Sequence, residues 1–160
     1  FVINTEKSIT SDGLKNCNSQ LFDKNTIFIT ARGTVGKVVL AGESMAMNQS
    51  CYALKDKAEK LNYFLFLHTK RYSKHLRKAT GGSTFATIIV DTFKRLQVVA
   101  PTNNLTKHFN QLLKPIFDDV NNLHYKNNIL RQTRDLLLPK LISGKIDVSD
   151  LDLDTSILYD

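Results

Sequence analysis

A chain of 160 residues with 42% hydrophobic content holds enough apolar material for one ordinary core plus an arm, and no second complete domain is expected in it. Its 22 Lys and Arg against 15 Asp and Glu give a net charge of +7. No apolar run approaches the ~20 residues that cross a bilayer, which excludes a membrane-spanning helix. Cys17 and Cys51 lack metal-type spacing, as do His68, His75, His108 and His124, so neither a disulfide scaffold nor a zinc site is expected. The expectation is a reduced, cytoplasmic protein with no cofactor.

The charge is uneven. Asp147, Asp150, Asp152, Asp154 and Asp160 fall in the last fourteen residues, and without them the first 146 residues stand at +12. A body that basic attracts polyanions, of which nucleic acid is the commonest in a cell, although a merely solvated basic surface gives the same count. The chain opens on Phe1 and enters strand-like sequence at once, so a piece of a longer chain is expected, with earlier strands of the domain lying outside it.

In chain order, residues 26–54 alternate β-branched and apolar runs with glycine punctuation: Thr26-Ile27-Phe28-Ile29-Thr30, Arg32-Gly33-Thr34-Val35-Gly36, then Lys37-Val38-Val39-Leu40. This predicts strands joined by tight turns. Residues 45–54 add a further extended segment in which Cys51 is core rather than reagent. Over 58–79, Leu61, Leu65, Tyr72 and Leu76 recur at helical spacing, widened by Phe64 and Leu67, which predicts an amphipathic helix. Its second half carries Lys70, Arg71, Lys74, Arg77 and Lys78 on one flank.

The Gly81-Gly82-Ser83-Thr84 turn that follows has the backbone freedom and the hydroxyls to face a phosphate. It is no nucleotide-triphosphate loop, because no Gly-Lys-Ser/Thr ending opens a helix there and 85–90 is expected to be a strand. A last strand is expected over 93–101, with Pro101 marking the exit from the sheet-rich part.

From Thr106 to Lys140 apolar residues recur at heptad spacing. Phe109, Ile116, Leu123, Leu130 and Leu137 form one row, and Leu113, Val120, Asn127 and Arg134 the row beside it. A helix over 116–138 would be about 35 Å long. Five aliphatic or aromatic residues in strict phase favour a seam against a partner helix, while a long helix packed on its own domain would show a similar stripe. Asn127 and Arg134 within the seam sacrifice stability to fix register. Pro115 removes a backbone donor, so a short helix, a kink and then a long helix are expected, ending near Pro139 and Gly144.

The predicted architecture is α+β: a sheet-rich globular domain over 1–102, a coiled-coil helical arm over 103–145 and an acidic tail over 146–160. No Asn-Pro-Pro-Tyr loop for amino methylation is present, since prolines occur singly at 101, 115 and 139. No Ser/His/Asp or Cys/His arrangement stands out, and the Asp-rich tail lacks the Glu-x-Lys strand of a metal-dependent nuclease.

Three strings in order carry a resemblance: Ala31-Arg32-Gly33-Thr34-Val35-Gly36-Lys37 followed by Met47-Asn48-Gln49-Ser50-Cys51; Gly81-Gly82-Ser83-Thr84 leading to Pro101; and Leu136-Leu137-Leu138-Pro139-Lys140-Leu141-Ile142-Ser143-Gly144-Lys145-Ile146. Together they make the chain resemble the specificity (S) subunit of type I restriction-modification enzymes over nearly its whole length. The resemblance implies one target recognition domain that reads part of a split double-stranded DNA site, followed by one conserved spacer helix. It implies a non-catalytic subunit that docks methyltransferase (M) subunits and, through them, the restriction (R) subunit, and that pairs with a second S half or a second copy through the arm.

The expected DNA face comprises Arg32, Lys37, Lys70, Arg71, Lys74, Arg77, Lys78, Ser83 and Thr84, and the expected helix interface is the nine seam residues. The alternatives are the recognition end of a single-chain restriction-methylation enzyme, or a basic interaction module that binds a protein without DNA specificity.

Overall fold

The computed structural model describes residues 1–57, 60–79, 88–94 and 98–149, with the side chains of 75–79 excepted. It is α+β: a three-stranded antiparallel sheet with helices, closed by one long C-terminal helix. The described chain divides into a first unit, Phe1–Asn122, and a second unit that opens at Leu123.

The sheet has the order β2-β1-β3, with β1 (Ile27–Thr30) in the centre, β2 (Val38–Leu40) on one side and β3 (Cys51–Leu54) on the other. Register sets Ile27 opposite both Leu40 and Leu54, and Ile29 opposite both Val38 and Tyr52. Successive side chains of a strand point to opposite faces, so β1 can be buried along its length only if both faces are covered. Both are: Ile27 packs with Leu40 and Phe66, Ile29 packs with Ala31 and Ile88, and the Phe28 ring meets Phe22 edge-on at 5.6 Å. The β-branched run read from the sequence is thus the middle of the core.

Between β1 and β2 the 31–37 loop turns through Gly33 and Gly36, whose φ angles of 68° and 77° lie in the left-handed region that side chains disfavour. Thr30 fastens both ends of this loop. Its backbone N–H donates to Lys37 O at 3.0 Å, its carbonyl accepts from Gly36 N at 2.8 Å, and its hydroxyl accepts from Lys37 N at 3.0 Å and donates to the Thr34 carbonyl.

A five-residue helix, α1 (Ser11–Lys15), is capped by the Thr10 hydroxyl, which accepts from Gly13 N at 3.0 Å. The main amphipathic helix is α2 (Asn62–Ala79). Its most buried row is Phe66, Thr69 and Ser73, at i, i+3 and i+7. The expected stripe of Leu61, Leu65 and Tyr72 is only half-buried and Leu67 is exposed, so the helix is rotated toward its small hydroxyl residues. Thr69 and Ser73 are short enough to let the helix approach the sheet closely; Ser73 satisfies its hydroxyl on the Lys70 carbonyl at 3.0 Å.

Two sequence expectations are corrected here. Residues 93–101 are not a strand where they are described: Phe93 belongs to a short helix, α3 (Val90–Lys94), and 98–100 take no regular structure. Val90, expected to end a strand, instead opens α3; the rest of that expected strand falls on 85–87, outside the described residues, and on Ile88 and Ile89. Asp91 in the first turn of α3 pairs with Lys94 at 2.7 Å, a local i,i+3 preference that competes with extension.

The last helix, α4, runs Asn103–Ile142 as one element through both Pro115 and Pro139. The expected pair of helices around Pro115 is one helix by its residue assignment. Pro115 leaves the carbonyl four residues earlier without its helical donor, but Gln111 is exposed, so water can take that place. Packing of the flanking turns outweighs the local cost. Gly144, with φ 69°, ends the helix: Gly144 N donates to Leu141 O at 3.1 Å and Lys145 N to Lys140 O at 2.9 Å, the paired bonds of a Schellman stop.

In the first unit α4 lies on the domain through Thr106, Phe109, Leu113, Phe117 and Asn121, all buried or half-buried. Phe117 is the centre of this contact: its ring stacks on Tyr63 at 4.5 Å and meets Phe66 edge-on at 5.7 Å. Asn121, only 2% exposed, abuts Gly42, where an added Cβ would sit 3.2 Å from Asn121 Oδ1, 3.0 Å from the Val2 carbonyl and 2.9 Å from Ile3 Cγ1. Gly42→Ala is therefore expected to cost about 1–3 kcal/mol by overpacking. Urea unfolding followed by circular dichroism would measure it, and an unchanged midpoint would mean that this seat can relax.

Candidate nucleic-acid interface and helix seam

The described residues of the expected DNA face fall on two elements, the 31–37 loop and α2. Arg32 and Lys37 lie at the ends of the 31–37 loop and are exposed. Because Thr30 holds both ends of that loop and Gly33 and Gly36 turn it, its two cations are mounted on a constrained backbone rather than a slack one. On α2, Lys70, Arg71 and Lys74 are exposed; Arg77 and Lys78 are helical, with side chains outside the described set. At helical spacing these five cations occupy roughly a third of the circumference, flanking the buried Phe66, Thr69 and Ser73 row. The Lys70 ammonium sits 5.7 Å from the centroid of the Phe66 ring, a cation–π contact that leaves the charge at the surface.

Ser83 and Thr84 lie outside the described residues. The chain resumes at Ile88, whose N–H donates to the Ala31 carbonyl at 3.1 Å beside the root of the Arg32 loop. The structure therefore brings the described chain after that segment to one end of the loop.

The nine seam residues divide. Phe109 and Leu113 are half-buried in the first unit, and the Phe109 ring meets Phe64 edge-on at 6.1 Å, so these two are occupied by the chain's own domain. Ile116, Val120, Leu123, Asn127, Leu130, Arg134 and Leu137 are all exposed. In the second unit the uncovered apolar residues include Leu123, Ile129, Leu130, Leu136, Leu137, Leu138 and Leu141, with Leu130 at 65% exposure. Single exposed leucines are ordinary, but a heptad-spaced row of them is the signature of an interface. Arg134 is folded onto its neighbour Asp135 at 2.7 Å.

No group of three or more His, Cys, Asp or Glu poised to hold a metal occurs among the described residues, nor any helix there long and apolar enough to cross a membrane. Cys51 is half-buried at the start of β3, opposite Thr30, and burial pushes its thiol above the ordinary range, which makes it a packing residue.

A pair of neighbouring hollows on the first unit, together termed the groove, escaped sequence reasoning because their residues come from distant segments. One part, about 420 Å³, is lined by the 23–25 turn, Lys55, Asn62, Tyr63, Asn110 and Lys114; the other, about 610 Å³, by Lys60, Lys107, Gln111 and neighbours, sharing Asn110 and Lys114. Asn25, with a left-handed φ of 67°, turns the backbone at its rim and accepts through its carbonyl from Asn62 Nδ2 at 2.5 Å. The only sequence signal was the lysine content of these segments.

This is the architecture of an α+β domain joined to a helix whose apolar row its own domain leaves uncovered. The family model for the type I restriction modification DNA specificity domain matches residues 2–131, and the chain belongs to that family. It is 28% identical over 135 residues to the type I restriction enzyme MjaIX specificity subunit of Methanocaldococcus jannaschii, which covers 82% of this chain and 31% of that protein. It is 26% identical over 149 residues to the type I restriction enzyme HindI specificity subunit of Haemophilus influenzae, covering 91% of this chain and 32% of that protein. The chain thus spans about a third of the length of these curated relatives.

Proposed function

We propose that this chain is a target recognition domain with its spacer helix, acting as the DNA-recognition part of a type I restriction-modification specificity subunit. It binds one part of a split double-stranded DNA target and performs no chemistry itself. Phosphate contacts from Lys and Arg on the loop and on α2 supply affinity and register, and a few side chains read base edges. The observation that carries this reading is the family match across the domain and most of α4.

The uncovered leucine row supports the second half of the reading, in which α4 pairs with a counterpart helix in a second S half or a second copy. Methyltransferase subunits dock on that paired arm, and the restriction subunit joins through them. Asn127 in the row fixes register.

Light scattering behind a sizing column, on the chain alone and with the methyltransferase subunits, tests this. A self-pair or a stable complex with those subunits is the expected result. A monomer that ignores them overturns the scaffold role.

A further inference from the structure

We propose that the groove between the 23–25 turn, the start of α2 and the first turns of α4 is a second track for the DNA sugar-phosphate backbone, with Lys24, Lys60 and Lys107 as its phosphate contacts. This rests on the DNA-recognition reading but uses none of the residues assigned to the DNA face above.

The charge pattern is the first argument. Five lysines line the groove, at 24, 55, 60, 107 and 114. Lys55 pairs with Asp23 at 3.0 Å and Lys114 with Asp118 at 2.6 Å, so those two are neutralised in place. Lys24, Lys60 and Lys107 are exposed and enter no ion pair among the described residues. Three ammonium groups without an ion pair among the described residues, Lys24 at one hollow and Lys60 and Lys107 at its neighbour, attract a polyanion, and point charges on flexible stems suit phosphates without regard to base sequence.

The floor gives the second argument. Asn62 and Asn110 use their amide N–H groups on the Asn25 and Lys60 carbonyls, each at 2.5 Å, which leaves both Oδ1 atoms buried with no protein partner. Both oxygens are closed to solvent, so neither presents its lone pairs to an anion in the groove. Tyr63, whose phenol is pushed up by burial and by the Asp118 carboxylate, stays protonated and is a donor on the wall.

The third argument is shape. The two hollows are neighbours that share Asn110 and Lys114, and their cations are all at the surface. A small phosphate ligand needs an enclosed, desolvated seat, whereas a continuous backbone needs only a track.

The test is fluorescence anisotropy of the full chain with a labelled mixed-sequence duplex over a range of salt concentrations. The variant Lys24→Gln/Lys60→Gln/Lys107→Gln is expected to weaken binding and to reduce the slope of log affinity against log salt by about 2–3, at ~0.9 per phosphate contact. A Lys→Arg triple at the same positions should restore the slope. A charge-matched control, Lys7→Gln/Lys126→Gln/Lys140→Gln, should leave it unchanged.

If the wild-type chain binds the duplex and the groove variant has the wild-type slope, the groove proposal is overturned while DNA recognition stands. An equal drop in the control overturns it too, since the effect is then net charge. Failure of the wild-type chain to bind any duplex overturns both readings. All three groove lysines are exposed, so an unchanged circular dichroism spectrum and melting curve are expected.

Discussion

Exchanging Leu123, Leu130 and Leu137 together for glutamate is expected to abolish assembly through α4 while leaving the domain folded. All three are exposed, so their side chains contribute little to the stability of the isolated chain and its melting temperature should move by only a degree or two. In a paired helix each would be buried, a gain of about 1.5–3 kcal/mol per leucine before the costs of association. Replacing three with carboxylates removes that gain and sets like charges against one another across the seam. The affinity for the partner helix should fall at least about a thousandfold, read as loss of the higher-mass species in light scattering. Assembly that survives the triple variant would place the interface elsewhere on the chain.

The second large effect is expected at the centre of the sheet. Ile27 is fully buried, stands between Leu40 and Leu54 in the register and packs on Phe66. Ile27→Ala should cost about 3–4 kcal/mol, the lost transfer energy plus a cavity that a central strand cannot close. Against a total stability on the order of 5–15 kcal/mol, that is enough to leave part of the protein unfolded at 37 °C. Urea titration of the variant, with Ile29→Val as a milder comparison at about 1 kcal/mol, would measure it. A loss below 1 kcal/mol for Ile27→Ala would show that the α2 side of the sheet collapses into the space.

Much of the fold was legible because its signals are local. The run Ile27-Phe28-Ile29 announced a strand, the Gly33 and Gly36 positions announced a turn, and the heptad rows announced α4. What failed were judgements in which tertiary packing overrides a local rule. Pro115 suggested two helices, yet α4 is one element, and Phe117 just beyond the proline packs on Tyr63 and Phe66.

Phe93 suggested a strand by its β propensity. Its ring instead meets Tyr52 edge-on at 5.2 Å from a helical turn, a contact that no neighbouring residue could reveal. The buried face of α2 is hidden in the sequence because Thr69 and Ser73 count as polar in any periodicity, although both are small enough to pack closely and Ser73 satisfies its hydroxyl on the Lys70 carbonyl.

The candidate site was legible only where its residues are neighbours in sequence. The cations of α2 stand out as a strip, and the seam stands out as a period. Which seam residues are free was not legible, since the spacing of Phe109 and Leu113 matches that of Leu130 and Leu137, and only the fold separates those already covered from those left open. The groove lysines are scattered over 24 to 114 and meet only after α4 has folded back across the 23–25 turn and the start of α2.

The leucine row of α4 also bears on the life of the chain in the cell. A subunit made in excess of its partners would display an unshielded aliphatic surface, the feature by which chaperones and proteases recognise incomplete assemblies. If α4 pairs as proposed, mass action would tie the abundance of this protein to that of its partner, because binding protects the native state. Synthesis of the partners in matched amounts would keep such a surface from ever accumulating, and a recombinant chain should gain in yield and lifetime when produced together with them.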